Sequence, residues 1–218
     1  NGNSIKIVPS VLGLATIWDK DIWIYAISQL ISARDQGKEV SRRVRVSVHD
    51  LLVSTNRHIG GKDYKRLQAA FERLAGTRIT TDIETHGTRI KHLFGLLDEV
   101  RIVEKSLTDE RMIAVEIVLP EWLFNSVLGN ECLNISRDYF RLRGGLERRL
   151  YELARKHCGH QFSWKISLEL LHKKTGSSAS IKEFRRKIKS VAEGNGLPDY
   201  FLSLIKNTDQ IFFQNRGK

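Results

Sequence analysis

A basic face on one predicted helix carries the clearest chemical potential in this sequence. The helix is predicted over residues 180–192, because Ile181, Phe184, Ile188 and Val191 recur at helical spacing and define a core face. The opposite side of the helix and its flanks are basic and polar: Lys182, Arg185, Arg186, Lys187, Lys189 and Ser190. An arginine fork on such a face can pair with two acceptors of guanine, and lysine or serine can contact bases or phosphates.

Three serines precede this helix and could contact the same partner. Ser177, Ser178 and Ser180 offer hydroxyl groups and free backbone N–H groups, which suit a phosphate at a helix N-terminus. A solvated basic face that binds nothing is the alternative interpretation of the whole pattern. The position of the helix, third in a recurring order of elements, favours DNA as its partner.

A second, more dilute version of the pattern lies earlier in the chain. A helix is predicted over residues 62–75, with an apolar face of Tyr64, Leu67, Phe71 and Leu74. Its basic and polar side chains lie off that face, but Asp63 and Glu72 lie among them: Lys62, Lys65, Arg66, Gln68 and Arg73. This helix could read bases, contact phosphates only or lie in a protein interface.

The order of elements repeats along the chain. Helices over 19–34, 47–52 and 62–75, with a strand at 43–46 between the first two, precede two hairpins at 79–97 and 100–119. Helices over 145–158, 167–171 and 180–192, with a strand at 164–166, precede a hairpin at 200–214. Asp19, Ser47 and Ser167 are predicted N-caps.

Helix, strand, helix, turn, helix and hairpin is the order of a winged helix. The sequence therefore predicts an α+β protein with two tandem winged-helix domains, repeated in architecture but not in sequence. We expect an N-terminal winged-helix domain at 1–129 and a C-terminal DNA-binding winged-helix domain at 130–218. The predicted wings are the hairpin carrying Thr88, Arg89, Lys91 and His92 in the first domain and the hairpin tip at Lys206 and Asn207 in the second. A solvated hairpin is the alternative for each wing.

Charge and composition favour a polyanionic partner. The 218 residues carry 36 Lys and Arg against 25 Asp and Glu, a formal net charge of +11. Between residues 137 and 189, fifteen basic residues face five acids. There is no apolar run long enough to span a membrane, so we expect no membrane partner. Cys132 and Cys158 suit the reducing environment of the cytoplasm.

Motifs for catalysis are weak. His157-Cys158-Gly159-His160 lacks the spacing of a nickase metal pair, and a zinc site with Cys132 is disfavoured against a helix end that simply accommodates histidine. Gly60-Gly61-Lys62 lacks the rest of a phosphate-binding loop. We therefore expect no enzyme activity, no cofactor and no metal. Triads scattered through the sequence are not excluded by this argument.

Several segments resemble the replication initiator protein A family of bacterial plasmids. They are residues 133–157, with Gly144-Gly145-Leu146-Glu147-Arg148 as the most specific part, and residues 64–74, 77–81 and 94–97. The resemblance implies tandem winged helices that bind repeated sites at a plasmid origin, open the duplex with a host initiator and recruit the replicative helicase. It also implies a monomer–dimer equilibrium in which the dimer represses its own promoter. A winged-helix repressor, a rolling-circle nickase and an interaction scaffold remain open alternatives.

Overall fold

The structure is a computed structural model that describes residues 4–85, 88–105, 112–205 and 208–217, with side chains described outside 83–85 and 88–90. Two compact units make up the chain, Asn1–Cys132 and Leu133–Lys218. The boundary at residue 132 falls three residues after the boundary placed at residue 129 from sequence. None of the helices in the described part of the chain has the length and apolar character that a membrane span requires.

The first unit contains four helices and six strands among its described residues. In chain order they are β1 (Ser4–Val8), α1 (Lys20–Asp35), β2 (Arg43–Ser47), α2 (Val48–Ser54), α3 (Gly61–Gly76), β3 (Arg78–Thr85), β4 (Thr88–Gly95), β5 (Glu99–Glu104), β6 (Met112–Val118) and α4 (Glu121–Leu128). The core forms where the apolar faces of these elements meet, with Ile22, Leu51, Leu67 and Ile117 fully buried.

The strands of the first unit belong to two sheets. β2, β6 and β5 form one antiparallel sheet in that order, and β1, β3 and β4 form another. Strand β2 alternates so that Val44 and Val46 are buried while Arg43 and Arg45 point outward. The outward arginines and Arg101 share two acids, Glu99 and Glu116, across the sheet, so the positive charge of this face is largely paired.

The second unit repeats this order without the extra sheet. Its helices and strands are α5 (Gly145–His157), β7 (Ser163–Ser167), α6 (Leu168–Thr175), α7 (Ile181–Gly194), β8 (Tyr200–Leu204) and β9 (Gln210–Asn215), and a 3₁₀ turn at Arg137–Arg141 precedes them. The sheet order β7-β9-β8 matches β2-β6-β5 of the first unit. The two units are therefore two winged helices, and the β3–β4 hairpin with β1 is an addition to the first.

This topology corrects the predicted first wing. The sequence prediction placed it on the hairpin that carries Arg89 and Lys91, which is the β3–β4 hairpin. That hairpin pairs with β1, whereas β5 and β6 pair with β2 as the wing strands of a winged helix do. The first wing is β5–β6. Periodicity could not distinguish the two hairpins, because their partner strands are far away in the sequence.

Asp19 differs from its predicted role as a helix cap. It stands at the N-cap position of α1, but its side chain makes no capping hydrogen bond. The carboxylate is buried and accepts two hydrogen bonds from Arg73 of α3, at 2.7 and 2.8 Å, and one from the Thr16 N–H. Arg73, which sequence analysis placed among the basic residues off the core face, therefore ties α3 to α1 and is not available to DNA.

The segment that carries the family resemblance makes hydrogen bonds that hold parts of the second unit together. The Gly144 N–H donates to the Glu147 carboxylate at 2.9 Å, which starts α5. Arg148 is buried, donates from Nε to the Leu142 carbonyl at 3.1 Å and lies over the Tyr139 ring. Arg149 donates from Nε and Nη2 to the Lys174 carbonyl near the end of α6. These arginines bind backbone carbonyls, so the count of fifteen basic residues overstates the number of basic side chains that are available to a polyanion.

Candidate DNA interface

Local capping and packing fix the helix-turn-helix of the second unit. The Ser167 hydroxyl accepts from the Leu170 N–H and starts α6, as predicted, and Gly176 ends α6 with a φ of 69°. His172 Nε2 lies 2.8 Å from the Ala179 carbonyl, so this nitrogen carries the proton and donates. The His172 ring also packs edge-on against Phe184 of α7. The turn between the helices is thereby held at both ends.

The predicted core face of α7 is correct at its centre and wrong at its start. Phe184 and Ile188 are fully buried and Val191 is half-buried, whereas Ile181 is 40% exposed. Ile181 occupies the first helical position of α7. The face opposite Phe184 and Ile188 is free of apolar residues and exposes Lys182, Arg186 and Lys189.

The three predicted serines differ in their surroundings. Ser180 is the N-cap of α7, and its hydroxyl accepts from the Glu183 N–H at 3.3 Å. The Ser177 hydroxyl accepts from the Ala179 N–H, so it shapes the turn. Ser178 is exposed at the tip of that turn. Their placement beside the N-terminus of α7 keeps all three near the predicted reading end of the helix.

Arg186 is exposed and held in a defined orientation. Its Nε and Nη2 donate to the two Glu183 oxygens at 3.0 and 2.7 Å, while 73% of the arginine side chain remains accessible. The Arg186 hydrogen bonds lower the pKa of the Glu183 carboxyl, and the carboxylate in turn raises the pKa of Arg186. The guanidinium donors that Glu183 does not use can meet a base.

Arg185, predicted to flank the basic face, forms an ion pair with the wing. Its Nη2 donates to Asp209 at 2.8 Å, and its Nε is buried without a hydrogen-bond partner among the described residues. The Asp209 carbonyl also accepts from the Leu168 N–H. Arg185 therefore connects α7 to the turn of the β8–β9 wing, just before β9 begins. The predicted wing residues Lys206 and Asn207 lie outside the described residues.

The equivalent helix of the first unit also presents basic side chains. Lys62 and Lys65 are exposed on α3, and Arg66 pairs with Asp63 at 3.4 Å while 75% of its side chain stays accessible. Lys91 is exposed on β4, on the added hairpin. The Arg89 side chain lies outside the described part of the chain, as do residues 106–111 between the strands of the true first wing.

The residues that were considered for a metal site differ in their surroundings. The His157 ring stacks on Trp164 at 4.7 Å, and Trp164 stacks on Phe213. His160 is exposed, and Cys132 belongs to the first unit. Within the described ranges, no three His, Cys, Asp or Glu side chains group as metal ligands.

His157 gives the second unit a pH-dependent stability. Burial lowers the pKa of His157 below 6.5, and the nearby charges of Lys174, Lys156 and Arg149 lower it further. The unfolded chain therefore takes up this proton first, and stability falls as the pH drops through about 6.5 towards the folded pKa. In His157→Phe an aromatic ring still stacks on Trp164. We expect the melting temperature of this variant to fall less between about pH 7.5 and about pH 5.5 than that of the unsubstituted protein.

The control for this prediction is the exposed His160→Asn variant, which should follow the unsubstituted protein. Thermal unfolding followed by circular dichroism at each pH measures the difference. An equal loss of melting temperature in the unsubstituted and His157→Phe proteins would show that the histidine does not titrate on unfolding.

Fold and surface together define a tandem winged-helix protein with exposed basic side chains on the second helix of each helix-turn-helix. A family model described as "Replication initiator protein A" matches residues 1–202. A protein of Wigglesworthia glossinidia brevipalpis that carries the name of a replication protein is 41% identical over 214 residues, covering 97% of this chain and 78% of the relative. The chain belongs to the replication initiator protein A family.

Solved structures support the same fold. A crystal structure of domains 2 and 3 of RctB superposes with a TM-score of 0.71 at 12% identity, over 99% of this chain and 91% of the other. A second crystal structure of RctB domains 2–3 gives a TM-score of 0.66 at 12% identity, over 100% of this chain and 92% of the other. At this identity the likeness concerns the fold.

Proposed function

We propose that the chain is a cytoplasmic initiator that binds double-stranded DNA sequence-specifically at repeated sites of a plasmid origin. One observation carries the proposal: α7, the second helix of a well-capped helix-turn-helix, exposes Lys182, Arg186 and Lys189 opposite its buried face, and the first two lie in its N-terminal half. The N-terminal residues of such a helix are those that reach base edges in the major groove.

The chemistry of binding divides between base and phosphate contacts. The Arg186 fork, oriented by Glu183, suits the O6 and N7 acceptors of guanine. Lys182 and Lys189 add positive charge that suits phosphates on either side, and Ser178 offers a hydroxyl at the turn. The ion pair between Arg185 and Asp209 fixes the wing relative to the helix. The proposed role is binding, and it includes no catalytic step.

Three further steps follow from membership in the family and belong to the same proposal. They are opening of the duplex beside the bound sites, recruitment of a host initiator and the replicative helicase, and exchange between monomer and dimer. A winged-helix repressor would share the binding step but not duplex opening. Permanganate reactivity of unpaired thymines in supercoiled origin DNA therefore separates the two roles.

A salt series with two duplexes tests the proposed binding. The protein is titrated with origin repeats and with a scrambled duplex from about 50 mM to about 200 mM salt. We expect origin DNA to bind on the order of 10³-fold or more tightly than the scrambled duplex. Equal affinity and equal salt dependence for both duplexes would contradict sequence-specific binding and leave only electrostatic attraction.

A lysine variant gives that series a second readout. Lys189→Ala should lower the slope of log affinity against log salt by about 1 on both duplexes, because a phosphate contact is not sequence-specific. Lys156→Ala, an exposed lysine in the last turn of α5, is the control and should leave the slope unchanged. An unchanged slope for Lys189→Ala would place Lys189 away from the DNA.

A further inference from the structure

The sheet of the second unit buries one of its two faces and leaves the other accessible. Successive residues of a strand point to opposite faces, so the pairing of β7, β9 and β8 assigns each residue to a face. Ile211 and Phe213 lie on the inner face and are fully buried. We call the outer face the aromatic sheet face, and its two central rungs are Ser163, Gln214 and Phe201, and Lys165, Phe212 and Ser203.

Two phenylalanines, each with a cation over its ring, distinguish the aromatic sheet face. Phe201 is 41% exposed, and the guanidinium of Arg216 lies 3.9 Å from its ring centroid. Phe212 is half-buried, with the Lys165 ammonium 5.9 Å from its ring centroid. The two rings are diagonal neighbours, because Phe201 pairs with Gln214, two residues along β9 from Phe212. One ligand can therefore contact both rings and both cations.

Arg216 is held in a fixed orientation over the Phe201 ring. Its Nε donates to the Tyr200 carbonyl at 3.3 Å, and its Nη2 donates to the backbone and side-chain oxygens of Asn195 at 2.8 and 2.6 Å. These acceptors are neutral, so the hydrogen bonds orient the guanidinium without cancelling its charge. An exposed guanidinium plane of this kind is a surface on which a nucleic-acid base can stack.

The described residues of the aromatic sheet face carry positive charge without an acid. Besides the two phenylalanines and Lys165, its two central rungs hold only serine and glutamine side chains. Asp199 lies just before β8, but its carboxylate accepts a hydrogen bond at 3.0 Å from the hydroxyl of the buried Tyr151. The face therefore suits a ligand that is both negatively charged and rich in flat rings.

The equivalent sheet face of the first unit has the opposite chemistry. The serine that ends β2 and the serine that ends β7 both cap the next helix, which aligns the two ladders residue by residue. At the positions of Phe212 and Phe201, the first unit has Glu116 and Glu99, which are paired with arginines. The winged-helix fold therefore does not require aromatic side chains at these two positions.

We propose that the aromatic sheet face binds single-stranded DNA. One unpaired base stacks on Phe212 and another on the pair of Phe201 and Arg216, while Lys165 and Arg216 attract the phosphates. A double helix keeps its bases stacked inside and cannot offer their flat faces, so this surface selects single strands. The inference rests on the proposed function, because duplex opening is the step that supplies a single strand.

Fluorescence anisotropy of a labelled single-stranded oligothymidylate tests the inference with the full chain. Phe201→Leu and Phe212→Leu should each lower affinity for the oligomer roughly 5- to 150-fold, because the aromatic support of a base is lost. Both variants should bind the origin duplex as the unsubstituted protein does, which also shows that they are folded. Phe162→Leu is the control, since Phe162 is 56% exposed but does not belong to the aromatic sheet face.

A charge variant gives a second readout that does not depend on the phenylalanines. Lys165 is exposed, and Lys165→Ala should lower the slope of log affinity against log salt for the oligomer by about 0.7. Arg186→Ala has the opposite selectivity, and it should weaken origin duplex binding while leaving affinity for the oligomer almost unchanged.

The outcomes separate this inference from the function on which it rests. Oligomer affinity that is insensitive to both leucine substitutions, or oligomer binding that excess origin duplex abolishes, would overturn the proposed single-strand site. The first of these results would leave the aromatic sheet face to a protein partner, and the second would place the single strand on α7. A chain that does not distinguish origin duplex from scrambled duplex would contradict the proposed function, which is measured with a different probe.

Discussion

Arg186→Ala should lower affinity for the specific site roughly 5- to 150-fold and leave affinity for scrambled DNA almost unchanged. The reason is geometric, since Glu183 holds the guanidinium plane and leaves its outer edge free to pair with guanine. A point charge at this place would change binding to all sequences alike. Fluorescence anisotropy with origin and scrambled duplexes at one fixed salt concentration measures both affinities.

The control for Arg186 is Arg141, which lies in the same unit. Arg141 is 76% exposed and pairs with Asp138 three residues earlier, so it matches Arg186 in charge, exposure and local partner. Arg141→Ala should leave the ratio of specific to scrambled affinity unchanged. Equal losses for the two variants would show that Arg186 contributes only general positive charge.

Asp19→Ala should destabilise the first unit by about 3–5 kcal/mol. The substitution leaves the guanidinium of Arg73 largely buried without its carboxylate and removes the tie between α1 and α3. Asp35→Ala is the control, because Asp35 is exposed and pairs with the neighbouring Arg34 at the surface. Its cost should be about 0.5 kcal/mol or less.

Tryptophan fluorescence can follow this unfolding within one unit. Trp18, Trp23 and Trp122 lie in the first unit and Trp164 in the second, so urea unfolding in a Trp164→Phe background reports the first unit alone. A cost for Asp19→Ala near that of Asp35→Ala would contradict a stabilising role for the buried pair. The difference between the two variants in free energy of unfolding is more informative than either value, because both are measured in the same Trp164→Phe background.

The helix-turn-helix segments could be predicted because their signals are local. Ser167 caps α6 as predicted, Ser180 stands at the predicted start of α7, and Phe184 and Ile188 mark the buried face within two turns. The first wing could not be assigned, since its identity depends on whether a hairpin pairs with β2 or with β1. Pairing between distant strands leaves no periodic trace in the sequence.

The role of individual charges was the other limit of sequence analysis. Arg73, Arg148 and Arg185 look alike in the sequence as basic residues, yet each is bound to a partner brought close by the fold. Asp19 and Asp209 lie 54 and 24 residues from the arginines that they bind. A count of basic residues therefore indicates a polyanionic partner for the whole protein but does not identify which side chains meet it.

Cleavage protection on the plasmid's own origin tests the central claim most directly. The full chain is bound, over a range of protein concentrations, to a supercoiled plasmid that carries the origin. The DNA is then digested with DNase I. The account predicts separate protected windows over the repeated sites, and Arg186→Ala should require a higher protein concentration to produce them. Uniform protection along the plasmid, or none at all, would contradict sequence-specific binding by the winged helices.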